Sequence, residues 1–262
     1  LFPLFAGLET LDGVGPKTAK HYSGLNVETP RDLIFTLPAG GLDRTRRASI
    51  REVPLPGPAT VEVTIGTHHP PKTRGRPYRV NVTDAETTFQ LVYFHAKGDY
   101  LQKQLPTGQK RVVSGKIELF DSIAQMVHPD HVVAVDQGAT IPAYEPVYPL
   151  SAGISQKLMW KATRSALERL PELDEWIDPA LQKREGWPAW SDALSLAHTP
   201  QASTDLAPHS VARARLAYDE FFAHQLTLGL ARATVRAKPG VSSKATGEYQ
   251  SRVLAALPYR PT

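Results

Sequence analysis

Apolar and polar residues alternate along the middle of the chain, from residue 59 to about residue 135, with the period of two that is typical of half-buried β-strands. The pattern predicts about five strands, at 60–65, 78–83, 88–94, 111–117 and either 125–127 or 131–135. A helix-compatible segment at 98–105 lies between the third and fourth strands. Five strands with a helix in that place is the order of an OB-fold, a partly open barrel.

The two ends of the chain have a helical pattern instead. Residues 29–38 predict a short capped helix that stops at a proline, and longer helices are predicted at 155–170 and 208–238. The turn Gly13-Val14-Gly15 followed by Pro16 is typical of a helix-hairpin-helix element, whose amides can face an anion. The alternative is a turn that only packs helices together.

These changes of pattern predict an α+β protein with three parts. The first part, 1–50, is helical and helix-hairpin-helix-like; the second, 51–150, is the OB-fold barrel; the third, 151–262, is helical again. We found no internal repeat and no low-complexity tract.

Charge is distributed unevenly along these parts. The net charge is +5 for residues 1–120, −6 for 121–207 and +5 for 208–262, within a total of +4. This layout favours a polyanion bound by the first half, although an ordinary solvated surface explains the charge equally well.

Several function classes are disfavoured by composition. The chain has no cysteine, which excludes disulfides and thiolate metal sites. No apolar run is long enough to span a bilayer, so we expect a cytoplasmic protein. No phosphate-binding loop is present, since Gly13-Val14-Gly15-Pro16-Lys17-Thr18 has the wrong glycine spacing. We predict no catalytic residue and no metal site.

The most informative stretch of the barrel combines aromatic and basic residues. Phe94 and Tyr100 are predicted to stack on bases, with Phe94 in the barrel core as the alternative. The predicted contacts to the DNA backbone are Lys72, Arg74, Arg76, Lys97, Lys103, Lys110, Arg111 and Lys116, of which the first three lie in a loop that OB-folds use for ligands. A further basic run, with Arg44, Arg46, Arg47 and Arg51, is either a solvated linker or a phosphate contact.

Several local strings, in order along the chain, resemble the N-terminal region of the RecG family of branched-DNA helicases. They are Leu11-Asp12-Gly13-Val14-Gly15-Pro16-Lys17, Leu37-Pro38 with Asp43-Arg44, Phe94 with Tyr100-Leu101, Val113-Ser114-Gly115-Lys116, Gln125-Met126-Val127-His128-Pro129, Pro146-Val147-Tyr148-Pro149-Leu150 and Arg215-Leu216-Ala217-Tyr218-Asp219-Glu220.

The resemblance implies a wedge domain that binds branched DNA, such as replication forks and Holliday junctions. It implies that Phe94 and Tyr100 stack on the parted bases, although the segment between them is longer than in the common family pattern and Tyr93 is an alternative partner. It also implies that the ATP- and Mg²⁺-dependent motor lies outside this chain, so that the chain alone neither hydrolyses ATP nor unwinds DNA.

Two functions therefore remain. The first is a wedge that splits DNA strands during ATP-driven fork reversal and branch migration in recombination and repair, acting as a monomer. The second is an OB-fold module whose groove receives a peptide of a single-stranded DNA-binding protein.

Overall fold

The computed structural model describes residues 2–73, 75–94, 98–240 and 247–259. Its strands are β1 (Gly40–Asp43), β2 (Arg46–Arg47), β3 (Gly57–His69), β4 (Tyr78–Thr83), β5 (Thr88–Tyr93), β6 (Lys110–Phe120), β7 (Ile123–Val127), β8 (His131–Ala134) and β9 (Tyr144–Val147). Its helices are α1 (Pro16–Tyr22), α2 (Pro30–Phe35), α3 (Gly98–Gln104), α4 (Gln156–Leu167), α5 (Pro179–Glu185), α6 (Trp190–His198), α7 (Val211–Arg236) and α8 (Glu248–Ala256). None of the described helices is long and apolar enough to cross a membrane.

Strand β3 closes the barrel because it pairs with two different strands along its length. Its second half, from Thr64 to His69, pairs with β4, and its first half, from Gly57 to Thr64, pairs with β6. The pairs β4–β5, β5–β7 and β7–β6 complete the ring, and β5–β7 is parallel. With α3 between β5 and β6, the predicted OB-fold is confirmed.

The alternation seen in the sequence fills the barrel. Val61, Val63 and Ile65 of β3 pack with Phe89 and Leu91 of β5 in one core. Burying each such side chain contributes roughly 1.5–3 kcal/mol. Both candidates for the last strand form, since β7 belongs to the ring and β8 pairs with β6 outside it.

A second core lies among the helices. It joins residues from the start of the chain to residues that follow the barrel, including Leu33 and Ile34 of α2, Met159 and Ala162 of α4 and Leu194 of α6. Residues 1–216 form one compact unit. The boundaries predicted at residues 50 and 150 stay a prediction, but segments on either side of the barrel share this core.

A buried arginine links the barrel to the short sheet β1–β9. Arg44 follows β1 directly, and only 4% of its surface is exposed. Its guanidinium forms ion pairs with Asp130, at 2.9 Å, and with Glu145 of β9, and it donates a 2.9 Å hydrogen bond to Ser114 Oγ of β6. Since a buried guanidinium needs such partners, this network attaches the short sheet β1–β9, which we call the ribbon, to the barrel.

Residues 217–262 form the second compact unit. Its described parts are the remainder of α7 and the helix α8. Phe221, Leu226, Leu230 and Tyr249 are exposed there, and no residue of α7 after Leu216 is buried. This unit therefore presents apolar side chains to solvent.

Candidate nucleic-acid interface

The position of Phe94 follows from the alternation along β5. Phe89, Leu91 and Tyr93 point into the barrel core, so the next residue points to the opposite side. Phe94 is 44% exposed and lies outside the barrel core, so the alternative of a core position for Phe94 is wrong. Its ring is partly exposed at the end of the strand.

Tyr93 is not an alternative to either aromatic residue. It is only 9% exposed and packs in the barrel core, where its hydroxyl has no hydrogen-bond partner among the described residues. Burial, with a smaller contribution from the nearby Tyr100, raises the pKa of Tyr93. The interpretation in which Tyr93 replaces Phe94 or Tyr100 is therefore wrong.

Tyr100 is displayed by α3, the short helix across the end of the barrel. Leu101 and Leu105 are buried and anchor this helix, whereas Tyr100 is 62% exposed. Lys103 is exposed one turn further along α3, on the face that carries Tyr100. An aromatic ring and a cation are thus neighbours on one helix.

The basic loop between β3 and β4 lies at the same end of the barrel. Tyr78, which follows this loop, pairs with Tyr93, one residue before Phe94. Lys72 and Arg76 of the loop are exposed. Two predicted cations, Arg74 and Lys97, lie outside the described residues. We refer to Phe94, Tyr100, Lys72, Arg76 and Lys103 together as the aromatic end.

His68 makes two side-chain hydrogen bonds that connect the elements carrying the aromatic end. Its Nε2 donates a 2.8 Å hydrogen bond to the carbonyl of Leu105, which leaves Nδ1 to accept from the Tyr78 hydroxyl at 3.0 Å. The two bonds tie β3 to β4 and to the segment that follows α3. The loop and the helix are thereby held against the same strand.

The remaining predicted cations, Lys110, Arg111 and Lys116, lie on β6. Lys110 is 2.9 Å from Glu62, and this hydrogen bond is the main reason that the pKa of Glu62 is lowered. Arg111 donates to the carbonyl of Gln104 and to other groups of its own turn. Lys116 pairs in register with Pro58, towards the opposite end of β6 from Lys110.

The basic run before the barrel divides into three kinds of environment. Arg44 is buried, so neither of the two interpretations holds for it. Arg46 pairs with Glu62, and Arg47 lies 3.5 Å from Asp43. Arg51 is exposed. Three of the four arginines in this run, Arg44, Arg46 and Arg47, therefore form ion pairs within the protein.

The turn at Gly13 packs against α4. Gly13 has a φ of +79°, and a Cβ there would lie 3.2 Å from Lys161 and 3.4 Å from Leu158. The amide of Asp12 donates to Ser165 Oγ of α4 at 3.2 Å. This placement favours the interpretation that the turn packs helices together.

His128 is a neighbour of Phe94 that was not among the predicted site residues. Its Nε2 lies 3.1 Å from the Phe94 amide nitrogen. The sequence signal that marks it is the dipeptide His128-Pro129 directly after an alternating strand. In the described ranges, no group of three or more His, Asp or Glu residues is placed to hold a metal ion.

The fold and the aromatic end define an OB-fold module with an exposed, basic and aromatic surface, and comparison with known proteins gives its family. The family model described as the RecG wedge domain matches residues 8–170, more than half of the chain. The chain therefore belongs to the RecG wedge domain family.

Similar proteins cover almost the whole chain. It is 28% identical over 266 residues to the ATP-dependent DNA helicase RecG of Escherichia coli O127:H6, covering 97% of this chain and 38% of that protein. It is also 28% identical over 267 residues to RecG of Thermotoga maritima, covering 99% of this chain and 33% of that protein.

A solved structure of RecG bound to a three-way DNA junction is similar as well. It has a TM-score of 0.70 and 26% sequence identity, and the match covers 99% of this chain and 35% of that one. The chain thus spans about a third of the length of the relatives it matches.

Proposed function

We propose that this chain is the junction-binding wedge region of a RecG-type helicase and that it binds branched DNA through the aromatic end. The observation that carries the proposal is the joint exposure of Phe94 and Tyr100 beside the cations Lys72, Arg76 and Lys103. The family membership and the similar structure, in which RecG is bound to a three-way junction, support it.

The chemistry of such a surface suits a branch point. The bases at a junction are partly unstacked and expose their faces, whereas the bases of a continuous duplex are covered by their neighbours. A base stacked on an aromatic ring gains about 1–3 kcal/mol, and this gain is tolerant of sequence. The cations neutralise backbone phosphates, which fixes the position of the DNA without reading its sequence.

Within a complete helicase, we propose that the wedge splits strands while an ATP-driven motor moves the duplex, in fork reversal and branch migration. This role implies that the helicase acts in recombination and repair. It also implies a monomer in the cytoplasm. ATP and Mg²⁺ would then act in segments of the helicase other than this one.

Segment 13–18, which comes nearest to a phosphate-binding loop in the sequence, does not fit ATP. The nearest glycine-rich segment begins α1, where Pro16 has no amide proton to offer a phosphate. The same segment is packed against Lys161 and Leu158 of α4. No step that uses ATP is therefore assigned to these residues.

The direct test is a titration of the chain against a labelled three-way fork, a linear duplex and a single strand of equal length, at two salt concentrations. We expect the fork to bind most tightly and its affinity to fall steeply with salt. Equal and weak binding to all three molecules would contradict the proposal.

A second candidate function is supported by a cavity of about 210 Å^3 (cubic ångströms) beside the barrel. It is lined by His131, Thr140, Pro142, Glu145, Lys157 and Trp160. Arg44 and His131 both contact Glu145, so Lys157 is the cation available to a ligand. This lining suits a peptide with an apolar side chain next to a carboxylate, and we propose a single-stranded DNA-binding protein as its source.

The test of this second function is binding of the C-terminal peptide of such a protein, measured by fluorescence anisotropy. Trp160→Ala should abolish peptide binding and leave fork affinity unchanged. Peptide binding that is lost in Phe94→Ala and kept in Trp160→Ala would contradict the assignment to this cavity.

A further inference from the structure

We propose that His128 is a positioning residue for Phe94, and that it holds the exposed ring in the orientation in which it meets a base. The inference rests on the proposed function, since it assigns a partner to one residue of the aromatic end. It is carried by a side-chain hydrogen bond, a backbone hydrogen bond and two ring contacts.

The backbone of His128 is fixed beside the end of β5. Val127, the last residue of β7, pairs with Val92 in the parallel register. The next amide, that of His128, donates a 2.9 Å hydrogen bond to the carbonyl of Val92. His128 then adopts a left-handed conformation with a φ of +46°, which is uncommon for residues other than glycine. This turn directs the imidazole back towards β5.

The imidazole supplies an acceptor where the ladder has ended. Phe94 is one residue beyond the end of β5, and its amide donates to His128 Nε2 at 3.1 Å. The His128 side chain thus adds one hydrogen bond to the backbone pairing of Val127 and His128 with β5. Since Nε2 must carry a free lone pair, the neutral ring has its proton on Nδ1.

The imidazole also contacts both the core aromatic residue and the exposed one. The centroid of the His128 ring is 5.8 Å from that of Phe94, with an interplanar angle of 35°. It is 6.0 Å from the ring of Tyr93, with the two planes at 87°. Tyr93 is fixed in the barrel core, so the imidazole transmits that fixed position to the exposed ring of Phe94.

Three substitutions of His128 distinguish the effect of the hydrogen-bond acceptor from the effect of the left-handed backbone conformation. His128→Gln keeps an acceptor at about the distance of Nε2, His128→Asn tolerates the left-handed backbone better but is too short, and His128→Ala removes the group. We expect fork affinity to fall about three- to tenfold in the Asn and Ala variants and to be largely retained in the Gln variant. His209→Gln, an exposed histidine outside the barrel, is the matched control.

A double-mutant cycle with Phe94→Ala distinguishes positioning from direct contact. If His128 acts through Phe94, then His128→Ala causes no further loss of fork affinity in the Phe94→Ala background. Losses that multiply, or an Asn variant that binds as well as the Gln variant, would overturn the inference.

A measurement without DNA keeps the inference separate from the proposed function. In ¹⁵N-labelled protein, scalar coupling across the N–H···N hydrogen bond should connect the Phe94 amide nitrogen to His128 Nε2. If Phe94→Ala leaves fork affinity unchanged, the proposed function fails, and this coupling still decides whether His128 holds Phe94. Absence of the coupling in the folded wild-type chain would overturn the inference.

Discussion

Arg215 lies fully buried against Glu175, with Nη1 and Nη2 each 2.9 Å from a different carboxylate oxygen. Nη1 also donates to the carbonyl of Pro188 at 2.9 Å, and the guanidinium lies 5.3 Å from the centroid of the Trp176 ring. The hydrogen bond from Arg215 is the main reason that the pKa of Glu175 is lowered. The start of α7 is therefore tied to the loop that precedes α5.

Replacing Arg215 by Met should destabilise the chain by about 3 kcal/mol, because Glu175 and the Pro188 carbonyl lose their partner. Urea denaturation at neutral pH measures this change. Arg164→Met is the matched control: Arg164 is 68% exposed and 3.5 Å from Glu168, and its loss should cost less than about 0.5 kcal/mol. An Arg215→Met midpoint equal to that of wild type would contradict the expectation.

His198 makes the stability of the helical core depend on pH. It is buried, with Nδ1 2.9 Å from the Tyr148 hydroxyl and Nε2 2.7 Å from the carbonyl of Ile34. Burial lowers the pKa of His198 from 6.5 to about 4. The unfolded chain therefore takes up a proton before the folded one does, and stability that is complete above pH 6.5 is lost as the pH falls towards 4.

The expected loss over that interval is about 3 kcal/mol, which unfolding in urea at several pH values can follow. His198→Gln should be less stable at neutral pH but should lose much less on acidification. The exposed His209→Gln should keep the wild-type pH dependence. A His198→Gln variant with the same slope as wild type would assign the dependence to other groups.

Phe94→Ala and Tyr100→Ala should each weaken fork binding by about 1–3 kcal/mol without changing thermal stability. Phe120→Ala is the matched control, since Phe120 is 57% exposed on the same barrel but lies at the β6–β7 turn. Fork affinity is measured by fluorescence anisotropy. Equal weakening by Phe120→Ala and Phe94→Ala would indicate a general apolar effect instead of base stacking.

The cations of the aromatic end should contribute to the salt dependence of fork binding. Lys72→Ala and Arg76→Ala should each reduce the slope of log affinity against log salt by about 1. Lys183→Ala is the control and should leave the slope unchanged, because Lys183 is exposed on α5, outside the barrel. A slope that falls as much for Lys183→Ala would indicate a general effect of net charge.

The barrel was predictable because several of its strands carry the signal locally. Val61, Val63 and Ile65 alternate with polar residues, and the same period marks β4 and the first half of β5. The pairing of β3 with both β4 and β6 is a contact between distant segments, and no local pattern encodes it. The ribbon β1–β9 was missed because Gly40, Gly41 and Pro146 obscure any alternation.

The exposure of a residue in the candidate site was predictable in part. Alternation along β5 places Phe94 outside the barrel once Phe89 and Leu91 are inside, so its exposure follows from the pattern. The burial of Arg44 does not, because it depends on Asp130 and Glu145, which are far away in sequence. The role inferred for His128 likewise depends on β7 lying parallel to β5.

The parallel pairing of β5 with β7 has a mechanical consequence for the residue at its end. DNA drawn past Phe94 would pull on β5, which is held by β4 along one edge and by β7 along the other. A pull along the strand loads all of these hydrogen bonds at once, in shear, whereas a pull across it would break them one after another. The ring of Phe94 is thus attached to a strand that is hydrogen-bonded along both of its edges.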